Sequence, residues 1–312
     1  MFGYVSGNDQ SVIEECSSSA NISATHTIGG LIGWADNLTL RNSSNEGSTV
    51  TATGFLVDGT NNYAYLGGYI GSGASVSGCT NDCDITYNSL GNLVGGVIGY
   101  ATGNIYNCTN NGDIFSLGNC VGGIAGWVLN SVPASNTNYA RNLVNNGEIK
   151  GVDNVGGIFG AFLHELEYGS CGGYRFTITV SAFQNNATVI GNNQVGGIVG
   201  NLYFNNSQDY YCKNHSSWSH HHTYSYCELA ATDMVNIGAV NGMTYVGEIF
   251  GNFWSDGNST LTTYTILGSI IVNRETLEGE YAVGSNTRLT LSDRVIPEEE
   301  TPEETPDTPA EE

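Results

Sequence analysis

The chain has 312 residues, of which 43 are glycine and 12% are charged, and its 8 basic against 30 acidic residues give a formal net charge of −22. A field of this sign without a basic stripe repels phosphate backbones and anionic membrane surfaces, so it excludes nucleic acid as a partner. The sequence also has no apolar run long enough for a membrane-spanning segment.

The first ten residues have no basic n-region and no long apolar h-region, which a secretory signal requires. Either the protein is not secreted by the classical route, or the chain is a fragment of a longer one. We favour the fragment, because the chain opens directly into repeat-like sequence. Residues 1–27 are then expected to form part of an N-terminal coil.

One six-residue pattern organises the chain: an apolar residue, two glycines, two apolar residues and a glycine, as in VGGVIG at 94–99. Its seven copies begin at Ile28, Leu66, Val94, Val121, Val155, Val195 and Val246, and the last reads VGEIFG. The starts lie 38, 28, 27, 34, 40 and 51 residues apart. Such recurrence is the signature of a repeat architecture, so the shortest spacing predicts one coil and the excess elsewhere predicts loop insertions.

A second half-repeat follows each hexapeptide, in the form apolar–x–Asn–Asn–Gly–x–Ile. Asn and Gly adopt positive φ readily, so Asn111-Gly112 and Asn146-Gly147 predict chain reversals. The hexapeptide is apolar at both alternating sets of positions, which predicts a short strand that is buried on both faces or bulged. Its paired glycines have no side chains, so a neighbouring layer can approach closely.

These patterns predict an all-β fold, a repeat β-solenoid in the form of a parallel β-helix of about seven coils over roughly residues 12–290. Equivalent residues of successive coils should stack. The stacks expected from the alignment of repeats are an inward ladder of Val94, Val121, Val155 and Val195, and a pair of Cys79 and Cys108.

The C-terminal part of the chain departs from the repeat. Residues 264–272 and 281–284 are expected to form a degenerate last repeat, and the solenoid domain as a whole is assigned to 1–296. Residues 297–312 are acidic and rich in Pro, Glu and Thr, so they cannot bury enough apolar surface to fold. They predict a disordered tail or linker.

The largest insertion lies between Gly200 and Met234 and concentrates aromatic residues. Exposed aromatic side chains among Asn and Ser suit the recognition of a protein or a glycan. The candidate binding residues are Tyr203, Tyr210, Tyr211, Trp218, Tyr224 and Tyr226. The alternative is a local cluster that closes the long loop over the solenoid.

The same insertion carries a candidate disulfide and a candidate metal site. Cys212 and Cys227 bracket it, and a bridge there would close a loop of about 15 residues, worth about 3 kcal/mol. His215, His220 and His222, with His221 and the two cysteines, offer nitrogen and sulfur ligands for Zn or Cu. Their spacing matches no standard zinc site, and consecutive histidines on an extended strand point in different directions. The alternative is a polar surface loop without a metal.

Two further patterns contain residue types that could carry chemistry. The segment from His164 begins as His-Glu, like a helical zinc-peptidase motif, but Tyr168 stands where the second histidine is needed. Asp84, Asp113 and Glu148 occupy the same repeat position, which predicts a column of like charges on an outer face. Such a column is better explained by solvation, or by weak Ca²⁺ binding, than by glycosidase chemistry, which needs two carboxyls in different environments.

The hexapeptides IGGLIG, LGGYIG, VGGVIG, VGGIAG, VGGIFG and VGGIVG, each followed by an Asn-rich half-repeat, resemble the GLUG-motif repeat family over roughly residues 20–255. The resemblance implies a β-solenoid segment of large extracellular or cell-surface proteins, including adhesin-like proteins and non-catalytic regions of some IgA-cleaving metallopeptidases. It supplies no catalytic residues. This chain departs from the family in its long insertions and in its Cys and His content.

The sequence thus predicts a non-enzymatic cell-surface or secreted repeat protein. It would act as an adhesin-like binder or a structural stalk, with a surface protein or glycan of a host or neighbouring cell as its partner. No cofactor is expected, with Ca or Zn as alternatives. The competing hypotheses are a non-catalytic accessory region of a surface peptidase and a β-helix enzyme that acts on polysaccharide.

Overall fold

The computed structural model describes residues 2–25, 27–46, 49–52, 65–68, 70–88, 92–130, 137–165, 175–205, 207–214, 217–224, 226–256, 263–272, 282–283 and 288–291. Within these ranges the chain is all-β and has no helix. No helix that could cross a membrane is therefore found in the part of the chain that the structure describes.

Three sheets form the wall of the protein, and each coil of the chain passes through them in turn. Sheet 1 contains the starts of the hexapeptides: β4 (Ile28–Gly29), β8 (Leu66–Gly67), β12 (Asn92–Gly95), β16 (Asn119–Gly122), β20 (Asp153–Gly156), β24 (Asn193–Gly196) and β30 (Thr244–Gly247). Sheet 3 contains β3 (Ile22–Ala24), β7 (Thr49–Ala52), β11 (Asp84–Tyr87), β15 (Ile114–Ser116), β19 (Ile149–Lys150), β23 (Val189–Ile190) and β29 (Val240–Asn241).

Sheet 2 lies between them in chain order and is the largest, with 18 strands among the described residues. Its strands are β1 (Phe2–Glu14), β2 (Ser17–Ser18), β5 (Ile32–Arg41), β6 (Ser44–Asn45), β9 (Ile70–Ser77), β10 (Thr80–Asn81), β13 (Ile98–Ala101), β14 (Ile105–Asn110), β17 (Ala125–Asn130), β18 (Thr137–Asn145), β21 (Phe159–Glu165), β22 (Arg175–Asn185), β25 (Val199–Asn205), β28 (Tyr226–Asn236), β31 (Phe250–Asp256), β32 (Thr263–Val272), β33 (Ala282–Val283) and β34 (Arg288–Leu291). A separate antiparallel pair consists of β26 (Ser207–Asn214) and β27 (Ser217–Tyr224).

The strands of all three wall sheets pair in parallel with the equivalent strands of the neighbouring coils, as in β12 with β8 and β16. The predicted parallel β-solenoid is therefore confirmed. The valine ladder is confirmed too, since Val94, Val121, Val155 and Val195 are in register and fully buried. At the N-terminus β1 pairs with β5, and at the C-terminus β32 pairs with β28, which places both expected end coils. Residues 297–312 and the boundary at 296 lie outside the described residues.

The hexapeptide forms a corner, and the prediction of one doubly buried or bulged strand was wrong. β12 ends at Gly95, the chain bends at Gly96 and Val97, and β13 begins at Ile98. Val94 packs into the core cluster between sheets 1 and 3, whereas Val97 and Ile98 pack into the cluster behind sheet 2. Both alternating sets of positions are apolar because the two halves of the motif face two parts of the core.

The paired glycines are required by close approach, as predicted. A Cβ on Gly95 would overlap the carbonyl oxygen of Ile98. A Cβ on Gly96 would overlap the carbonyl oxygen of Gly123 in the next coil and the side-chain amide of Asn110. No side chain can occupy these positions without moving backbone atoms.

The chain bends at both predicted Asn-Gly pairs, between a strand of sheet 2 and a strand of sheet 3, but without the positive φ that was expected there. Gly112 and Gly147 have no positive φ, and their missing side chains again serve close stacking on the preceding coil. Most residues at positive φ instead stack in two columns, one along sheet 2 and one along sheet 1. The first holds Glu15, Asn42, Gly78, Asn107, Asn142, Ala182 and Asp233 at φ between 47° and 64°, and the second holds Leu93, Cys120, Asn154, Gln194 and Tyr245.

A buried ladder of asparagines, the inner ladder, runs through the core. Its members are Asn45, Asn81, Asn110, Asn145, Asn185 and Asn236, each at most 1% exposed. From Asn81 onward each Nδ2 donates to the Oδ1 of the next member at 2.7–2.8 Å. The same Nδ2 groups donate to the carbonyl oxygen two residues further along the chain at 2.8–3.1 Å. Since unpaired buried amides are costly, this repetition fixes the register of the coils.

The second glycine of the hexapeptide makes room for the asparagine of the inner ladder. In six coils that glycine lies against the ladder asparagine of the same coil. In the seventh copy Glu248 stands in the place of this glycine, and there Val272 occupies the register position that follows Asn236. The requirement for glycine thus disappears where the asparagine does.

A second, outer ladder lies one residue further along the chain. It contains Asp82, Asn111, Asn146 and Asn186, of which the first three are exposed. Each asparagine Nδ2 donates to the side-chain oxygen of the preceding member at 2.5–2.7 Å. The Asn-Asn pairs of the repeats therefore place one amide inside and one outside the wall.

Candidate functional site

The predicted insertion forms an antiparallel hairpin, β26–β27, in a molecule whose wall strands are parallel. Tyr210 pairs with His221, Tyr211 with His220, and Trp218 with Lys213. Tyr224 closes the hairpin opposite Ser207. Four of the six candidate binding residues are therefore brought together on one two-stranded ribbon.

The other two candidates belong to the wall. Tyr203 lies in β25, where it pairs with Leu163 and Trp254 of the neighbouring coils. Tyr226 begins β28, where it pairs with Arg175. The hairpin is thus shorter than the insertion expected from the repeat spacing, because both of its ends are continued by strands of sheet 2.

The structure describes three of the four candidate metal-binding histidines. His220 and His222 are two residues apart on β27, and His222 pairs with Asp209. His221 falls on the alternate position, as expected of an extended strand. His215 lies outside the described residues. No group of three or more metal-ligating side chains occurs among the described residues, and the metal site stays a prediction.

The cysteines fall into two sets. Cys212 pairs with Ser219 in the hairpin and Cys227 pairs with Phe176 in sheet 2, so their disulfide stays a prediction. Cys79 and Cys108 are adjacent in register, as expected, and both are buried free thiols. Their mutual hydrogen bond, together with burial, raises the pKa of Cys108 well above its ordinary value.

The segment from His164 cannot act as a helical zinc-peptidase motif. His164 and Glu165 are the last residues of β21, an extended strand that pairs with β17 and β25. The geometry required of that motif is a helix, on which the two histidines lie one turn apart. The expected loop at this point is therefore a strand for its described part.

The acidic column is confirmed on an outer face. Asp84, Asp113 and Glu148 precede residues paired in register and are exposed. The amide of Asp113 donates to Asp84 Oδ1 at 2.9 Å, and the amide of Glu148 donates to Asp113 Oδ1 at 2.8 Å. Each of the first two carboxylates therefore accepts a backbone donor from the next coil, and their environments are alike. Glycosidase chemistry requires the opposite, two carboxyls in different environments.

An aromatic surface was missed by the sequence analysis. We call it the aromatic stripe, and it consists of Tyr4, Trp34, Tyr65, Tyr100 and Trp127. Tyr4 pairs in register with Trp34, and Tyr100 pairs with Trp127. Between Trp34 and Tyr100 this column contains Ser72, which has no ring. Tyr65 of the same coil fills the gap, because its ring centroid lies 5.8 Å from that of Trp34 and 5.6 Å from that of Tyr100. Five successive coils thus contribute one ring each.

A small apolar cluster supports three rings of the stripe. Tyr65, Tyr100 and Trp127 pack against Leu93 and Cys120, which belong to a small cluster outside the main core. Burial there raises the pKa of the Cys120 thiol to about 12. This cluster gives the rings a fixed apolar support.

At the first coils a carboxylate orients the rings. Trp34 Nε1 donates to Asp36 Oδ1 at 2.7 Å, and Tyr4 Oη donates to Asp36 Oδ2 at 2.9 Å. Trp34 is 36% exposed and Tyr4 is 62% exposed, so both offer ring surface to solvent. The signal in the sequence was the residue directly after each hexapeptide, which is aromatic at Trp34, Tyr100 and Trp127.

Residues 91–114 match the family described as the GLUG motif. This segment of the chain is therefore similar to the GLUG motif. The matched segment runs from the residue before β12 to the first residue of β15 and thus covers one coil, including its corner, Tyr100 and the inner-ladder residue Asn110. No curated protein and no solved structure matches the chain.

Proposed function

We propose that this protein is a non-enzymatic, extracellular or cell-surface repeat protein whose solenoid presents the hairpin β26–β27 to a protein or glycan on another cell. The observation that carries the proposal is the hairpin itself. It interrupts a wall of parallel strands with eight antiparallel residue pairs, and its sequence is rich in aromatic residues. Aromatic side chains supply contact area at low conformational cost.

The wall supports this role by its construction. Inner-ladder hydrogen bonds and close glycine stacking join each coil to the next, so stability accumulates from nearest-neighbour interfaces. A rigid array of this kind suits a support for a recognition element. The match of residues 91–114 to the GLUG motif agrees with a surface location.

The test replaces residues 207–224 by a short Gly-Ser turn, which leaves β25 and β28 in place. The control variant replaces residues 131–136, the connection between β17 and β18, by the same turn. Both are compared with the intact chain on a glycan array and a panel of extracellular proteins, after circular dichroism has confirmed the β content. Loss of binding with the hairpin, and retention in the control, would support the proposal.

Two outcomes would contradict it. If every ligand of the intact chain still binds after replacement of the hairpin, recognition lies elsewhere on the solenoid. If the intact chain binds no member of either panel, a structural spacer becomes the better account.

A further inference from the structure

We infer that the aromatic stripe is a second binding site, for a neutral, extended oligosaccharide that lies along the solenoid axis. This inference is independent of the hairpin. It begins from continuity, because the rings follow one another in five successive coils. At the strand spacing of about 4.8 Å, the stripe is about 19 Å long.

The chemistry of the rings selects the ligand class. An aromatic face carries partial negative charge, and the C–H bonds on the face of a sugar ring carry partial positive charge. Trp and Tyr rings therefore stack on sugars while their polar ends remain hydrogen-bonded. Here those polar ends are already fixed by Asp36, which receives the donors of Trp34 and Tyr4. Since the rings are oriented before binding, less entropy is lost on association.

Beyond Trp127, the register columns that contain Trp127 and Tyr65 carry polar residues. The column of Trp127 continues through Ala161 to Asn201 and Asn252, and Gln194 lies in the column of Tyr65. Asn252 Nδ2 donates to Asn201 Oδ1 at 3.0 Å. One line of the surface thus offers aromatic faces and then amides, which match the apolar faces and the hydroxyl groups of a sugar chain.

Charge decides between sugars and other extended ligands. With a formal net charge of −22, the protein repels acidic polysaccharides and acidic peptides. The net negative charge would attract a basic peptide to any part of the surface, so it does not direct such a peptide to the stripe, and a basic peptide bound in place of saccharide would overturn the inference. Proline-rich peptides also bind to aromatic grooves, but they offer few hydrogen-bonding groups to the run of amides. The surface therefore favours a neutral oligosaccharide.

The experiment titrates neutral hexasaccharides of glucose, mannose and N-acetylglucosamine against the intact chain, by calorimetry and tryptophan fluorescence. Trp34→Ala, at the second ring of the stripe, and Trp127→Ala, at the last, are each expected to weaken binding about tenfold. Phe115→Ala is the matched control, since this ring lies in sheet 3, where Lys150 Nζ is 5.6 Å from its centroid. Phe115→Ala and the hairpin replacement are expected to leave saccharide binding unchanged.

A length series on the unmodified chain makes the test independent of folding of the variants. Affinity should rise from di- to hexasaccharide as more rings are covered. The inference is overturned if no neutral hexasaccharide binds saturably, if Trp34→Ala and Trp127→Ala bind as the parent does, or if affinity does not depend on length. Equal binding of hexagalacturonate, or binding of a proline-rich peptide in place of saccharide, would also overturn it.

Discussion

The inner and outer ladders contain the same kind of side chain in adjacent positions, yet they differ in their effect on the register and stability of the coils. Asn145 is fully buried and joins Asn110 and Asn185. Asn146 is exposed and joins Asn111 and Asn186 with hydrogen bonds of similar length. Inside the wall an unmade hydrogen bond cannot be replaced by water, whereas outside it can. The same repeated amide therefore determines register on one side and adds little stability on the other.

The largest effect is expected where the inner ladder meets its glycine. In Gly157→Ala the new methyl group would overlap the Gly197 carbonyl oxygen and the Asn185 side chain, so a loss of about 4 kcal/mol or more is expected. Urea denaturation followed by circular dichroism measures it. The control is Gly151→Ala, whose methyl would meet side-chain methyls of Val121 and Val155 at 2.7–2.8 Å. Equal loss in both variants would contradict the close-approach account.

The direct comparison of the two ladders comes next. Asn145→Ala removes an acceptor from Asn110 and donors from Asn185 and the Gly147 carbonyl, which should cost about 3 kcal/mol. Asn146→Ala should cost at most about 0.5 kcal/mol, because water replaces its partners. The same denaturation measurement applies. A similar cost for both variants would show that burial does not distinguish the ladders.

A thiol beneath the aromatic stripe gives a smaller, pH-dependent effect. The pKa of Cys120 is raised from 9.0 to about 12, so the folded state holds its proton more tightly than the unfolded state does. Its contribution is complete below pH 9 and is lost as the pH rises, at about 1.4 kcal/mol per pH unit between the two values. Stability measured from pH 8 to 11 should therefore fall less steeply in Cys120→Ala. Parallel slopes would argue against the burial of this thiol.

The smallest effect belongs to the outer acidic column. Asp113→Asn keeps the acceptor for the Glu148 amide and removes one of three stacked charges. Less repulsion between like charges should raise stability by at most about 0.5 kcal/mol in low salt, and the gain should vanish in high salt. A gain that is independent of salt would require another cause.

The all-β solenoid, the starts of its coils and the stacking of like residues could be predicted from the repeats alone. Recurrence at fixed positions is enough for this, because in-register parallel coils place equivalent residues on one another. The valine ladder, the adjacent Cys79 and Cys108 and the exposed acidic column all follow from that rule alone.

Other features became visible only in the folded coils, because the repeat pattern does not specify them. Apolar spacing does not show that a hexapeptide turns between two sheets, and the Asn-Asn pairs do not show which amide faces inward. Ser72, which follows the hexapeptide 66–71, interrupts the aromatic stripe. Tyr65, which precedes the same hexapeptide, closes this gap, because its ring contacts both Trp34 and Tyr100. Such contacts join positions that are unrelated in the repeat, so they exist only once the coils are closed and stacked.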